Sequence, residues 1–319
     1  MIISPVRDEI EFARRTLDSV TGQTVPPALW VIVDDGSTDG TSELLAEYAA
    51  RFPYIRVQHR QNRGMRSVGP GVIDAFYEGL GSIDSLERFT YLCKLDLDLD
   101  LPPRYFEILI ERMEAEPRLG TCSGKAYFPG PSNQGKTWDG ELIAEYCGDE
   151  MSVGMTKFYR VECFREIGGF VRQVMWDGID CHRCRMLGWL ARSWDEPALR
   201  FIHQRPMGSS DQGIVTGRKR HGFGQYFMGT SLLYMTSSAV FRATRAPYLI
   251  GGAAMWWGYV QSMLTRAERF DDNEFRTFLR RYQLECLLLG KSRATKRLDE
   301  RQKDRWRQNR GLAGSGDQH

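Results

Sequence analysis

Three aspartates at alternate positions are the first residues in this 319-residue sequence whose spacing indicates chemistry. They are Asp96, Asp98 and Asp100, and they follow the apolar run Tyr91–Leu95. Alternate side chains of an extended backbone point to one face, so Asp96 and Asp98 can converge on one cation. Carboxylates at the end of a buried strand are costly without a positive partner. The pattern predicts a divalent cation held together with a phosphate-bearing substrate; a solvated edge strand is the alternative interpretation.

A second acidic cluster follows another apolar run. Residues 29–33 read as a buried strand, and Asp34, Asp35 and Asp39 come directly after it. Apolar periodicity predicts strands at 1–5, 29–33, 55–58 and 91–95, alternating with helices at 11–20, 42–51 and 72–80. Such alternation is typical of a parallel sheet, where ligands bind beyond the carboxyl ends of the strands. Both acidic clusters fall at such ends, which favours a nucleotide diphosphate with a bridging metal.

The bulk composition is that of an ordinary globular protein. Hydrophobic residues make up 42% and charged residues 26%, and the formal net charge is +2, so neither extensive disorder nor a nucleic-acid partner is predicted. The chain starts Met1-Ile2-Ile3-Ser4-Pro5, without a basic region before an apolar stretch, and its seven cysteines are scattered. Both features predict a cytoplasmic protein. Cys181 and Cys184 form a lone Cys-x-x-Cys pair, for which packed thiols are favoured over a zinc site.

About the first hundred residues resemble the inverting family 2 glycosyltransferases of the GT-A fold. Four features carry this resemblance in the family's order: the turn Ser4-Pro5-Val6-Arg7-Asp8-Glu9, the stretch Val33-Asp34-Asp35-Gly36-Ser37-Thr38-Asp39, the loop Asn62-Arg63-Gly64, and the metal motif Asp96-Leu97-Asp98. The resemblance implies an α/β protein of the GT-A fold, with a mostly parallel central sheet flanked by helices. The sequence adds a helical C-terminal extension.

The resemblance also implies roles for individual residues. The nucleotide sugar, linked to UDP or GDP, is expected to contact Pro5, Glu9, Asp34, Asp35, Ser37, Arg63, Lys94 and Asp96. The metal, Mg²⁺ or Mn²⁺, is expected at Asp96, Asp98 and His203, with Asp98 as the more direct ligand. A packed histidine is the alternative for His203.

The acceptor side of the family lies in the second half of the chain. Its catalytic base corresponds to Asp177, with Asp180 as a second candidate, because Trp176 and Ile179 stand where the family has Glu and Asp. A carboxylate that takes the acceptor proton contributes roughly 10²–10⁴-fold in rate. The alternative makes Asp177 the N-cap of a helix at 179–188. Residues 218–222 read as a basic, glycine-flanked loop.

The domain prediction places a GT-A domain at 1–230, divided into a nucleotide-sugar half at 1–100 and an acceptor half at 101–230. A helical region at 231–310 and a flexible tail at 311–319 follow. Residues 246–264 contain no charged residue and are flanked by arginines. Glycines interrupt this stretch, so an interfacial helix is favoured over a buried helix or a membrane span. Peripheral contact with the cytoplasmic face of a membrane is therefore predicted.

The sequence thus predicts a metal-dependent inverting glycosyltransferase. It would move a sugar from a nucleotide diphosphate to a hydroxyl or phosphate of a saccharide or polyprenyl-linked acceptor, in glycan or cell-envelope polysaccharide synthesis. One alternative is a non-catalytic, membrane-associated module that binds nucleotide sugars. The other is a sugar nucleotidyltransferase, which should carry a glycine-rich loop after the first strand, whereas residues 4–9 contain no glycine.

Overall fold

Four parallel strands form one side of the main sheet. The computed structural model describes residues 1–62, 64, 69–130, 142–145, 147–204, 213–244 and 248–311. The four strands are β1 (Ile2–Val6), β2 (Trp30–Asp34), β3 (Ile55–His59) and β4 (Tyr91–Leu95). They lie in the order β3-β2-β1-β4. All four strands expected from the apolar runs are confirmed, and their carboxyl ends share one edge of the sheet.

Helices connect these strands as the apolar periodicity predicts. They are α1 (Ile10–Thr21), α2 (Thr41–Arg51) and α3 (Pro70–Gly81). Helix α1 buries Leu17 and Val20 on one face, and every residue of β2 is buried. Strands covered on both faces read as continuous apolar runs, which explains why β2 is apolar up to Asp34.

The rest of the main sheet begins with one strand, β9 (Thr156–Arg160), that runs antiparallel to both of its neighbours. Strand β9 lies between β4 and β6 (Leu119–Ser123), and β10 (Leu190–Ser193) completes the edge. Helices α4 (Tyr105–Ala115) and α5 (Val161–Glu166) belong to this half. The α/β fold class is confirmed.

A second sheet positions residues that are far apart in the sequence. Its order is β5 (Leu99–Asp100), β11 (Arg200–His203), β7 (Lys125–Pro129) and β8 (Leu142–Ala144). Strands β5 and β11 are antiparallel, with His203 opposite Leu99. The segment after Asp98 is therefore paired with a strand that lies about a hundred residues later.

The chain divides into two compact units. The first unit contains Met1–Arg172 and Ala191–Met207, and the second contains Gln173–Leu190 and Gly208–His319. This division differs from the predicted boundary at residue 230, because residues 208–230 and the segment 173–190 group with the C-terminal helices.

Helices build the second unit. They are α6 (Trp176–Met186), α7 (Gly213–Met228), α8 (Leu232–Ala243), α9 (Ile250–Leu264), α10 (Asn273–Leu289), α11 (Lys291–Arg301) and α12 (Lys303–Asn309). Where the structure is described, no helix is long and apolar enough to cross a membrane.

Glycines allow helices α7 and α9 to pack closely. A Cβ on Gly222 would lie 2.0 Å from the carbonyl oxygen of Met255, and one on Gly258 would lie 2.2 Å from that of Lys219. Residues 218–222 are thus helical, and the expected basic loop is wrong. The glycines of this stretch permit close helix contact instead of forming a turn.

Candidate active site

The turns that follow β1 and β2 are joined by hydrogen bonds at the carboxyl edge of the sheet. Asp8 N donates to Ser37 Oγ at 2.9 Å, and Thr38 N donates to Asp8 Oδ1 at 2.8 Å. Glu9 N donates to Thr41 Oγ1, also at 2.9 Å. The two turns therefore form one hydrogen-bonded rim, in which Ser37 accepts a bond from the backbone of the neighbouring turn.

The turn after β3 packs against this rim through a glycine. Gly36 has a φ of +78°, and a Cβ there would lie 2.5 Å from Asn62 Cα. Arg7 Nη2 donates to Asn62 Oδ1 at 2.8 Å. Three strand ends are therefore held in direct contact, and Gly36 is the residue that allows it.

Asp34 stabilises the turn after β2 from a buried position. It is 1% exposed, and its Oδ1 accepts a 2.9 Å bond from Ser37 N. Its Oδ2 accepts from Ser42 Oγ and lies 3.2 Å from His59 Nδ1. Burial raises the pKa of Asp34, but the hydrogen bonds from Ser37, Ser42 and His59 outweigh it and lower the pKa overall. Asp34 is thus an ionised residue that fixes the shape of the turn.

The neighbouring Asp35 is placed differently. Its Oδ1 accepts a 2.8 Å bond from Arg60 Nη1, and Arg60 also pairs with Glu78 at 2.6 Å. Asp35 N donates to the carbonyl oxygen of Val6, which ties the residue to the end of β1. Pro5 lies one residue earlier, opposite Val33 in the sheet, and Glu9 is buried at the start of α1.

A buried lysine stands beside the first aspartate of the Asp-x-Asp motif. Lys94 Nζ donates to Asp96 Oδ1 and, at 3.2 Å, to the carbonyl oxygen of Gly154. Loss of water around Asp96 raises the pKa of its carboxyl group, and the charge of Lys94 counteracts that rise. The Asp96 carboxylate therefore already has a cationic neighbour.

Asp98 contacts the histidine that the sequence suggested. His203 Nε2 lies 3.3 Å from Asp98 Oδ2, and Gln204 N donates to the Asp98 carbonyl oxygen at 2.9 Å. The structure brings these two predicted residues together through the pairing of β5 with β11. Their role as metal ligands remains a prediction.

Glu145 is a member of this group that the sequence did not reveal. Its Oε1 lies 3.3 Å from His203 Nδ1, so the imidazole lies between two buried carboxylates. Burial lowers the pKa of His203, but the hydrogen bonds and charges of Asp98 and Glu145 outweigh it and raise the pKa to about 10. Glu145 follows the short strand β8, and its sequence neighbours form no recognisable motif.

The chemistry of these side chains fits a divalent cation. Asp98 offers carboxylate oxygens, which suit Mg²⁺ and Mn²⁺. His203 would offer an imidazole nitrogen to the metal once it loses the proton that pairs it with Asp98. Within the described ranges, no three or more His, Cys, Asp or Glu side chains form a ready-made metal site. Protein sites for Mg²⁺ commonly use one or two carboxylates and complete the shell with substrate phosphate and water. Such a partial set is what the rim offers.

Both candidate bases lie on α6 in the second unit. Asp177 is half-buried in the first turn of the helix, whereas Asp180 is 1% exposed and its Oδ1 accepts from Cys181 N. The helix begins at Trp176, with Met175 in the left-handed region as its N-cap, so the N-cap alternative for Asp177 is wrong. Cys181 and Cys184 are buried free thiols on the same helix, as expected. Arg63 lies outside the described residues.

Comparison with solved structures defines the class of fold. One solved structure is that of GalNAc-T7 with UDP, GalNAc and Mn²⁺. Its alignment with this protein covers 90% of this chain and 57% of the GalNAc-T7 chain, with a TM-score of 0.53 at 13% identity. The alignment with residues 1–349 of TarS from S. aureus covers 99% of this chain and 92% of the TarS chain, with a TM-score of 0.50 at 12% identity. These are GT-A glycosyltransferases, and the chain has their fold.

The sequence comparisons show what the first part of the chain is similar to. Residues 1–139 match the family model of glycosyl transferase family 2. EpsH of Bacillus subtilis, named as a glycosyltransferase, is 27% identical over 135 residues, which are 42% of this chain and 35% of EpsH. The poly-beta-1,6-N-acetyl-D-glucosamine synthase of Staphylococcus epidermidis is 28% identical over 118 residues, or 37% of this chain and 26% of the synthase. The chain thus spans about a third or less of the length of these curated relatives. Residues 1–139 of this chain are therefore similar to glycosyl transferase family 2.

Proposed function

We propose that this protein transfers a sugar from a nucleotide diphosphate to an acceptor hydroxyl, with inversion at the anomeric carbon and with a divalent metal bound at Asp98. The observation that carries the proposal is the rim: four parallel strands end at one edge, and the Asp-x-Asp motif lies there with His203 against Asp98. The family match covers the four strands and the Asp-x-Asp motif but ends before His203.

Different residues of the rim are proposed to bind different parts of the donor. Asp34 and Ser37 fix the turn after β2, while Pro5, Glu9 and Asp35 line the edge where the nucleoside would bind. Lys94 offers a positive charge close to the diphosphate position, and Asp96 meets the ribose side of the donor. Arg63 is proposed to add a second positive charge.

The metal would be held by Asp98 and His203, with Asp96 contributing a further carboxylate. When bound, a divalent cation neutralises the charge that develops on the leaving diphosphate. GalNAc-T7, one of the structural neighbours, is described with UDP and Mn²⁺, which supports Mn²⁺ as the first ion to test.

Transfer requires one proton acceptor. The bond between the anomeric carbon and the diphosphate oxygen breaks as the acceptor oxygen bonds to that carbon. The acceptor proton passes to a carboxylate, and we assign this to Asp177 in preference to Asp180, because Asp180 is almost completely buried. The acceptor is a saccharide or a polyprenyl-linked saccharide, as suits a polysaccharide pathway. All seven cysteines are free thiols, which favours a reducing compartment such as the cytoplasm.

The test is nucleotide release from a panel of UDP- and GDP-sugars, with and without Mn²⁺. Asp98→Asn is compared with Asp100→Asn, a matched loss of one carboxylate in the same segment. We expect one donor to be hydrolysed slowly in the presence of Mn²⁺, and we expect Asp98→Asn alone to abolish this reaction.

A second measurement does not depend on the acceptor, which nucleotide release can require. Binding of UDP and GDP is measured by calorimetry with Mn²⁺ present. If neither UDP nor GDP bound in a metal-dependent manner, the proposal would be overturned. Asp177→Asn should leave nucleotide binding unchanged while abolishing transfer to a competent acceptor.

A further inference from the structure

Helices α8 and α9 expose large apolar side chains on their outer faces. These are Leu233, Val240 and Phe241 on α8, Tyr248, Leu249 and Ile250 at the beginning of α9, and Trp257 further along α9. Leu249 is 73% exposed and Val240 is 65% exposed. We call these seven residues the apolar face. Large apolar side chains exposed on two packed helices indicate an interaction site.

The inner faces of α8 and α9 already pack in a buried hydrophobic core. Met235, Ala239, Met255 and Tyr259 form one buried cluster between the helices. A Cβ on Gly252 would lie 2.4 Å from the carbonyl oxygen of Ala239, so the two backbones are in close contact. The outer apolar residues therefore add nothing to this core, and their composition calls for a different explanation.

The outer faces of the two helices meet at a hydrogen bond. Trp256 Nε1 donates to Thr236 Oγ1 at 3.2 Å, which joins the exposed side of α9 to that of α8. Trp and Tyr side chains have an apolar body with one polar tip, which suits the boundary between lipid headgroups and acyl chains. Trp257 and Tyr248 belong to the same exposed surface.

The sequence segment that contains the apolar face is basic. Residues 213–267 contain no aspartate or glutamate, but they contain six arginines and lysines. Arg242 lies near the end of α8, and Arg266 lies two residues beyond the end of α9. Anionic lipid headgroups attract such residues near the membrane surface. An apolar surface within an acid-free, basic segment is complementary to an anionic bilayer.

We propose that the apolar face of α8 and α9 docks the protein on the surface of an anionic phospholipid bilayer. The apolar side chains enter the headgroup boundary, and the flanking arginines contact lipid phosphates. This inference goes beyond the transfer reaction, and vesicle binding is measured without any sugar donor. Its failure is therefore distinguishable from failure of the proposed function.

The test is flotation of the full chain with two kinds of vesicle. One is phosphatidylcholine alone, and the other contains about a third phosphatidylglycerol, which provides the negative surface. The variant Leu249→Ser/Ile250→Ser removes two apolar side chains from the face. Leu288→Ser is the control, because Leu288 on α10 is also 73% exposed but lies outside the acid-free segment.

We expect binding to the anionic vesicles that weakens at high salt. We also expect at least about a tenfold loss in the double variant, since each removed side chain carries substantial apolar area. The control should bind as the wild type does. An equal loss of vesicle binding in Leu288→Ser would indicate nonspecific hydrophobic adsorption and would overturn the proposal. Equal binding to neutral and anionic vesicles would also overturn it.

Light scattering in lipid-free buffer tests the competing occupant, a second copy of the chain. A wild-type dimer that Leu249→Ser/Ile250→Ser dissociates would assign the apolar face to self-association and overturn the membrane proposal. Circular dichroism of each variant verifies that the substitutions leave the helices intact. The altered residues are all solvent-exposed, so we expect unchanged spectra.

Discussion

Replacing Gly36 by alanine should separate the turns on which the donor site is built. Gly36 has a φ of +78°, a conformation that costs an L-residue about 1–2 kcal/mol. The added Cβ would also lie 2.5 Å from Asn62 Cα, whereas ordinary contacts begin near 3.4 Å. The clashing atom belongs to the backbone, so the turn after β3 must move by about 1 Å, at a further cost of about 1–3 kcal/mol.

Gly64 provides a matched control for the first of these two costs. Its φ is +75°, nearly the same as that of Gly36, but a Cβ added to Gly64 would meet no atom of the described residues within 4 Å. Gly64→Ala should therefore lose only the conformational term. The difference in free energy of unfolding between the two variants, about 1–3 kcal/mol, measures the contact between the turns.

The two variants are compared by urea denaturation and by Mn²⁺-dependent nucleotide release. A displacement of about 1 Å in a positioning element can cost up to about 100-fold in rate, so Gly36→Ala should lose most of its turnover. Gly64→Ala should retain more. Equal losses of stability and turnover in the two variants would refute the idea that contact at Asn62 holds the donor rim together.

Two further predictions concern the second unit. Gly222→Ala should destabilise the protein although alanine favours helices by about 1 kcal/mol, because the Cβ would lie 2.0 Å from the Met255 carbonyl oxygen. Gly81→Ala is the control, because its Cβ would meet none of the described residues within 4 Å, and thermal unfolding should show it to be neutral or stabilising. Burial lowers the pKa of His221 to about 4, and Gln225 Nε2 lies 3.3 Å from its Nε2. Because the folded pKa lies below the unfolded value, stability should fall by about 2–3 kcal/mol as the pH drops from 6.5 towards 4. His221→Gln should flatten that dependence in denaturation curves recorded across this range.

The donor half could be predicted because its signals are local in sequence. Each parallel strand is a short apolar run, and the polar residues that follow it arrive at the same edge whatever the rest of the chain does. Asp34, Asp96 and Asp98 could therefore be assigned to one edge from their positions after the strands. Their individual contacts could not be predicted, since the bonds from Ser42 and His59 to Asp34 depend on side-chain placement.

The second unit was harder to predict because glycine has two opposite uses. In residues 213–224 the glycines favour a loop on propensity alone. Gly222 and Gly258 instead have no side chain, which allows α7 and α9 to approach each other closely. The packing of a later helix decides between the two uses, and a local pattern contains no information about that helix.

The Asp98, His203 and Glu145 group shows where the limit of sequence reasoning lies. Asp98 is marked by its motif, but His203 reaches it only because β11 pairs with β5 on one side and with β7 on the other. Strand β8 then pairs with β7 and brings Glu145 to the second ring nitrogen of His203. Each step is a long-range strand pairing whose register must hold, because a slip of one residue would turn His203 to the opposite face. The second sheet therefore determines the geometry of the candidate metal site, although its strands contribute no part of the recognised donor motif.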